Sequence, residues 1–193
     1  VTTILLARHG ETDWNREGRF QGHADPPLNA TGREQAVELA DALTGRELAA
    51  VYTSPLLRAF ETAQLVAAQR GLELVAVDGL REVDVGSWSG LTRAEVEQRF
   101  PEQYVRWLDY GQGWEDGETY DDMARRARAA LLEIAAAHEG QHALAVTHGG
   151  PIRAAFAFAA GTSYAEARRT GPEIGNAFVV EFAVEDGALR RLD

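Results

Sequence analysis

Four apolar runs of five to seven residues, separated by longer stretches of helical periodicity, limit this chain to a sheet with helices packed on it. Val1 to Ala7, Ala49 to Thr53 and Ala143 to Thr147 do not alternate with polar residues, the pattern of strands buried on both faces. Leu72 to Val77 reads as a further strand. A long loop, Gly10 to Ala30, follows the first run, with Trp14 and Phe20 to pack it; loops of that length usually carry function. Thr31-Gly-Arg-Glu34 has the form of a capping box, opening a helix to about Thr44 with Val37, Leu39, Ala40 and Leu43 inward. Ser54 as cap and Pro55 as first residue open a helix that Gly71 stops. Thr92-Arg-Ala-Glu95 is a second box, for a short helix interrupted at Pro101, and Tyr104, Trp107 and Leu108 mark another helical piece. Gly111 to Gly117 is a break. Thr119 and Asp122 open the longest helix, to about His138, and Pro151 begins one to about Ala160. A hairpin, Ala177 to Phe182 and Ala188 to Leu192 around Asp186-Gly187, closes the chain. This alternation predicts an α/β fold: one three-layer α/β/α domain over residues 1–193, with a mainly parallel, mixed sheet.

Composition narrows the function. A formal charge of −11 argues against nucleic acid or an anionic membrane as partner. All 19 basic residues are arginine, the side chain that grips phosphate or carboxylate in a bidentate fork. No apolar run approaches the ~20 residues that span a bilayer. The N-terminal run lacks a basic lead, so neither a signal peptide nor an anchor is expected. Without cysteine there is no disulfide or thiolate site, and a cytoplasmic location is the expectation.

In open α/β sheets, ligands bind beyond the carboxyl ends of the parallel strands. The first run ends in Arg8-His9-Gly10, the second in Thr53-Ser54 with Arg58 four residues on, and the last in Thr147-His148-Gly149. Two arginines and two histidines converging on one rim would make a cationic pocket in an acidic protein. Gly10 frees the backbone there to turn or to approach a ligand closely. Such a pocket suits a phosphoryl group: neutral imidazole is a competent nucleophile, and fixed positive charge stabilises the equatorial oxygens. A leaving alkoxide also needs a proton from a nearby carboxylic acid. No His, Asp or Glu spacing resembles a metal-ligand set, and no cofactor is expected.

Leu6-Ala-Arg-His-Gly-Glu-Thr12 through Asn15 resembles the signature of the histidine phosphatase superfamily, the phosphoglycerate-mutase-like proteins. Ser54-Pro-Leu-Leu-Arg58-Ala-Phe-Glu-Thr62 resembles its second motif, Leu80-Arg-Glu82-Val-Asp-Val-Gly86 its acid motif, and Val146-Thr-His148-Gly149 its last. The resemblance implies His9 as the phosphorylated nucleophile and Glu82 as general acid, later the base for water. It implies Arg8, Asn15, Arg58 and His148 as phosphate ligands, with His148 also stabilising the transition state, and a substrate contact at Gln21-Gly22. Local alternatives stay open: Asn15 also fits a loop cap, Glu82 is one of 30 acidic residues, and Glu61 is placed to pair with Arg58. His23, His138 and His142 receive no functional role.

The family holds mutases and phosphatases. The segment Leu91 to Glu118 is short beside the mutases' inserted region, and Gly86-Ser-Trp88-Ser-Gly90 resembles the phosphatase branch's G-x-W-E-G, with Ser89 in place of Glu. The expectation is a phosphomonoesterase acting on a small phosphorylated metabolite. A mutase and a non-hydrolysing phosphoryl-binding module are the alternatives. Trp107, Tyr110 and Trp114, with Glu115-Asp116, are expected to flank the pocket and to favour a stackable substrate over a bisphosphate; the same aromatics would equally serve as core. Oligomeric state is left open.

Overall fold

The structure is a computed structural model and describes residues 1–192. In chain order the elements are β1 (Thr2–Arg8), α1 (Asp13–Arg16), α2 (Ala30–Ala42), β2 (Ala50–Thr53), α3 (Leu57–Arg70) and β3 (Leu74–Ala76). After two short 3-10 turns come α4 (Arg93–Arg99), α5 (Pro101–Leu108), α6 (Tyr120–Ala137), β4 (His142–Thr147), α7 (Gly149–Ala160), α8 (Tyr164–Thr170), β5 (Val179–Glu185) and β6 (Ala188–Leu192).

The six strands form one sheet in the order β3-β2-β4-β1-β5-β6. The first four are parallel; β5 runs antiparallel to β1, and β6 antiparallel to β5. The mixed, mainly parallel sheet inferred from the four runs is therefore observed. Successive side chains of β1 go to opposite faces. Ile4 and Leu6 join Leu131, Ile134, Ile152 and Phe156 of α6 and α7 on one side. Leu5 and Ala7 join Leu39 of α2 and Ala63 and Val66 of α3 on the other. Both sets are needed, which is why β1 and β4 read as continuous apolar runs. A third cluster, built on Trp88, Trp114, Met123 and Tyr164, lies beyond the sheet, beneath the segment that follows β3. Among the described residues, no helix is long and apolar enough to cross a membrane.

Several local expectations are corrected. Asn29, not Thr31, caps α2: its Oδ1 accepts the Gly32 N–H at 2.8 Å, two residues before the expected box. Val37 is exposed, because the inward stripe of α2 is Gly32, Ala36, Leu39 and Ala40. α3 starts at Leu57 without a side-chain cap, and Ser54 is used elsewhere. The long loop contains α1, whose capping box is Thr12 with Asn15. α8 was not expected; Ser163 caps it.

Gly10 also serves a different purpose from the one its sequence position suggests. Its φ is not positive, and a Cβ there would lie 2.3 Å from the Gly32 carbonyl oxygen. Reciprocally, a Cβ on Gly32 would lie 2.0 Å from the Glu11 carbonyl oxygen. The backbone after β1 thus packs directly on the first turn of α2, and it is this contact, not a ligand, that excludes a side chain. On propensity alone Gly32→Ala would stabilise a helix by about 1 kcal/mol. Here backbone overlap dominates, and we expect a net loss of about 2–3 kcal/mol, read as a lower urea midpoint at unchanged m-value.

Candidate active site

The sheet order puts β2, β4 and β1 side by side, with Arg8 level with Thr147 and Thr53 level with Val146. Their carboxyl ends therefore open onto one cavity of about 370 Å³, lined among others by Arg8, His9, Asn15, Arg58, Glu82 and Gly150. Arg8, His9 and Arg58 line the cavity directly, and the buried His148 lies beside His9.

His9 is 2% exposed. Its N–H bonds the Thr147 carbonyl (3.0 Å), and its ring Nδ1 lies 2.7 Å from the Gly10 carbonyl. A carbonyl only accepts, so Nδ1 carries the hydrogen and Nε2 is left with a free lone pair. Burial, reinforced by the Arg58 and Arg8 charges, holds the His9 pKa well below the ordinary histidine value; the Gly10 bond opposes this. The same forces, burial first and then Arg58, His9 and Arg8, depress His148. The two rings lie 5.1 Å apart. His148 Nε2 is 2.8 Å from Ser54 Oγ, which itself accepts the Leu56 N–H (3.3 Å). The Ser54 hydrogen is thereby free to meet Nε2 and place the ring proton on His148 Nδ1, a buried atom with no protein partner.

Both imidazoles should remain neutral in the free protein well below the pH at which an ordinary histidine charges. In the unfolded chain they protonate at the ordinary value, so the unfolded state binds more protons as the pH falls. Stability contributed by the neutral pair is thus present above the unfolded pKa and is lost below it. We expect the ring resonances of His9 and His148 to stay unshifted in NMR spectra from pH 8 to about pH 6.

Arg58 is 1% exposed; Nη1 and Nη2 donate to the carbonyls of Ala24 (2.8 Å) and Gly22 (2.9 Å). Burial lowers its pKa to about 10, which leaves it charged at neutral pH. Arg8 donates through Nη1 to the Ile174 carbonyl (2.6 Å), and burial lowers its pKa while Glu82 pulls the other way. The Nε atoms of both arginines are buried without a protein acceptor. Buried donors in that state call for an anion. Gly10 N–H bonds Thr62 Oγ1 (3.0 Å), which donates to the Arg58 carbonyl (2.7 Å), so nucleophile loop and arginine helix are tied together.

Glu82 lies at the cavity edge. Its Oε1 accepts the Val83 N–H (2.9 Å) and its Oε2 the Gly150 N–H (3.2 Å). A Cβ on Gly150 would sit 2.1 Å from Oε1, so only glycine admits the carboxylate here. The Glu82 carbonyl takes Nη2 of Arg126 (2.7 Å) and meets His23 Nε2 (2.8 Å). Arg126 also donates to the Gly79 and Arg81 carbonyls and makes two 2.7 Å bonds to Glu118. Arg126 was not singled out from the sequence and His23 was given no functional role, since nothing in their local pattern announces a clamp on the acid loop.

The remaining assignments divide. Asn15 Oδ1 meets Thr12 and Asn176, which makes it a loop cap and leaves its amide N–H groups for the cavity it lines. Gln21 and Gly22 line the cavity too, but Gly22 also holds Arg58 through its carbonyl. Glu61 does not pair with Arg58; it accepts the Leu28 N–H (2.9 Å). Trp107, Tyr110 and Trp114 do flank the cavity, whereas Glu115 pairs with Arg106 and Asp116 caps Ser87 outside it. Arg153 and Arg168 line the cavity and went unnoticed in sequence. Among the described residues no group of three or more His, Cys, Asp or Glu side chains is clustered to hold a metal ion.

Comparison with known proteins places this arrangement in context. The model of the histidine phosphatase superfamily (branch 1) matches residues 4–192. Phosphoserine phosphatase 1 of Hydrogenobacter thermophilus is 35% identical over 158 residues, covering 81% of this chain and 75% of that protein. A bifunctional protein of Mycobacterium tuberculosis is 36% identical over 193 residues; this chain is covered to 99% but spans only 53% of that protein. The structure of Bacillus stearothermophilus YhfR superposes with a TM-score of 0.93 at 35% identity, covering 99% of this chain and 95% of that one.

Proposed function

The chain belongs to the histidine phosphatase superfamily, and from that premise we propose that it is a phosphomonoesterase which hydrolyses a small phosphorylated metabolite through a phosphohistidine on His9. The observation that carries this reading is the Nδ1–Gly10 bond, which turns a bare Nε2 lone pair into the cavity beside two arginines with unpartnered Nε–H groups.

His9 Nε2 attacks phosphorus as the bond to the ester oxygen breaks. Arg8, Arg58 and His148 Nδ1–H stabilise the equatorial oxygens, a task for preorganised donors in a buried site. The protonated Glu82 carboxyl gives its hydrogen to the departing alkoxide. The resulting carboxylate then takes a proton from water, the water oxygen attacks the phosphohistidine, and phosphate leaves with His9 restored. The cavity, about 370 Å³, suits a small metabolite, and the phosphoserine phosphatase among the relatives supports that scale of substrate.

Supplied with 3-phosphoglycerate, the protein should release inorganic phosphate, read by a molybdate assay. Formation of 2-phosphoglycerate without phosphate release would overturn the hydrolase reading in favour of a mutase. Binding without either product would leave a phosphoryl-binding module.

A further inference from the structure

Three consecutive residues of the long loop connect the two halves of the site. The carbonyls of Gly22 and Ala24 accept Nη2 and Nη1 of Arg58 (2.9 and 2.8 Å). The side chain between them, His23, reaches the acid loop, with Nε2 2.8 Å from the Glu82 carbonyl. Gly22 packs backbone to backbone on that same loop. Its φ is +51°, and a Cβ there would lie 2.9 Å from the Val85 nitrogen and 3.2 Å from the Val83 carbonyl oxygen. His23 lies outside the cavity lining, with 33% of its side chain exposed, so it can act only through its neighbours.

Resting on the phosphatase reading above, we propose that His23 is a positioning residue: with Gly22 and Ala24 it forms a strut that fixes the distance between the phosphate-binding Arg58 and the acid Glu82.

The mechanical link is a single peptide plane. The Glu82 C=O and the Val83 N–H belong to one rigid group. That N–H holds Glu82 Oε1 at 2.9 Å, so a grip on the carbonyl also aims the carboxylate. Arg126 grips the same carbonyl (2.7 Å) and ties it to α6. His23 ties it instead to the loop that holds Arg58. A carbonyl only accepts, so Nε2 carries the hydrogen, and it does so whether the ring is neutral or charged. Nδ1 lies 4.0 Å from the Asp84 carboxylate, beyond hydrogen-bond reach. Distance matters here because the acid must meet an ester oxygen whose phosphorus Arg58 has already placed, and a misplacement of about 1 Å can cost about 100-fold in rate. Removing the imidazole orphans neither partner: the Glu82 carbonyl keeps Arg126, and Arg58 keeps its two carbonyls. Fold and phosphate cradle should survive the change.

The test compares glycerol 3-phosphate, an alkyl ester, with nitrophenyl phosphate, whose leaving group departs as a stable anion. His23→Ala should lower kcat/KM on the alkyl ester by about 10-fold and on nitrophenyl phosphate by less than about threefold. Competitive inhibition by inorganic phosphate should stay within about twofold of the wild type, since the cradle is untouched. Glutamine places its amide nitrogen where the ring has Nε2, so His23→Gln should recover most of the alkyl-ester rate. His23→Asn, whose amide nitrogen reaches only to the position of Nδ1, should not. Equal losses on the two esters, or weakened phosphate inhibition, would make His23 a merely structural residue and overturn the proposal. So would an alkyl-ester rate that His23→Ala leaves unchanged, or that asparagine restores as well as glutamine does. In each of those cases the phosphatase stands. Failure of the wild type to release phosphate from either ester overturns the phosphatase reading itself and the strut with it.

Discussion

Replacing His9 with alanine is expected to lower kcat for every phosphomonoester by about 10⁴-fold or more, because no other group in the cavity can take over attack on phosphorus. Cys is absent from the chain, and the only neighbouring imidazole, His148, has its Nε2 engaged with Ser54. The phosphate cradle of Arg8 and Arg58 hangs on the carbonyls of Ile174, Ala24 and Gly22, not on the His9 ring. Substrate affinity should therefore fall far less than turnover, and the loss should appear in kcat. The direct measurement is chemical. A labelled phosphomonoester quenched without acid should leave a base-stable phosphoryl adduct on the wild type and none on His9→Ala. Equal adduct in both proteins would remove His9 as nucleophile.

How much of this could be read in advance depended on what kind of signal each residue left. Arg8, His9, Arg58 and His148 stand directly at strand ends or one helical turn beyond, and a parallel sheet brings such ends together whatever the details of its loops. The sheet itself was legible because strands buried on both faces cannot alternate. Caps were less secure: Asn29 and Thr31 both suit a helix start, and the close approach of Gly32 to Glu11, invisible in one dimension, decides between them. The clamp on Glu82 was not legible at all. Arg126 sits mid-helix, where a charged residue is ordinarily solvated, and only the fold brings it under the carbonyls of Gly79, Arg81 and Glu82. Arg168 was lost because α8, seven residues long, left too few apolar positions to show a period. Arg153, three residues after Gly150 on a foreseen helix, could have been found by following that face upward.

The second large effect concerns proton delivery. Glu82→Gln should cost about 10²- to 10⁴-fold in kcat/KM on alkyl phosphates, whose alkoxide leaving groups need a proton, and far less on nitrophenyl phosphate, whose leaving group is stable as an anion. The comparison is made as a ratio because glutamine disturbs the site in a second way. Its carboxamide can accept from only one of Val83 N–H and Gly150 N–H and turns an NH₂ toward the other, a loss that burdens both substrates alike. Gly150→Ala reaches the same proton by an independent route. The new methyl group would overlap Oε1 at 2.1 Å, and since the flexible end of a side chain yields before backbone does, the carboxylate swings away while the fold is kept. That variant retains the acid but misplaces it, so its loss should again be selective for alkyl esters, and smaller than that of Glu82→Gln. If both variants lose equally on alkyl and nitrophenyl esters, the carboxylate serves the shape or charge of the pocket, and the proton comes from another source.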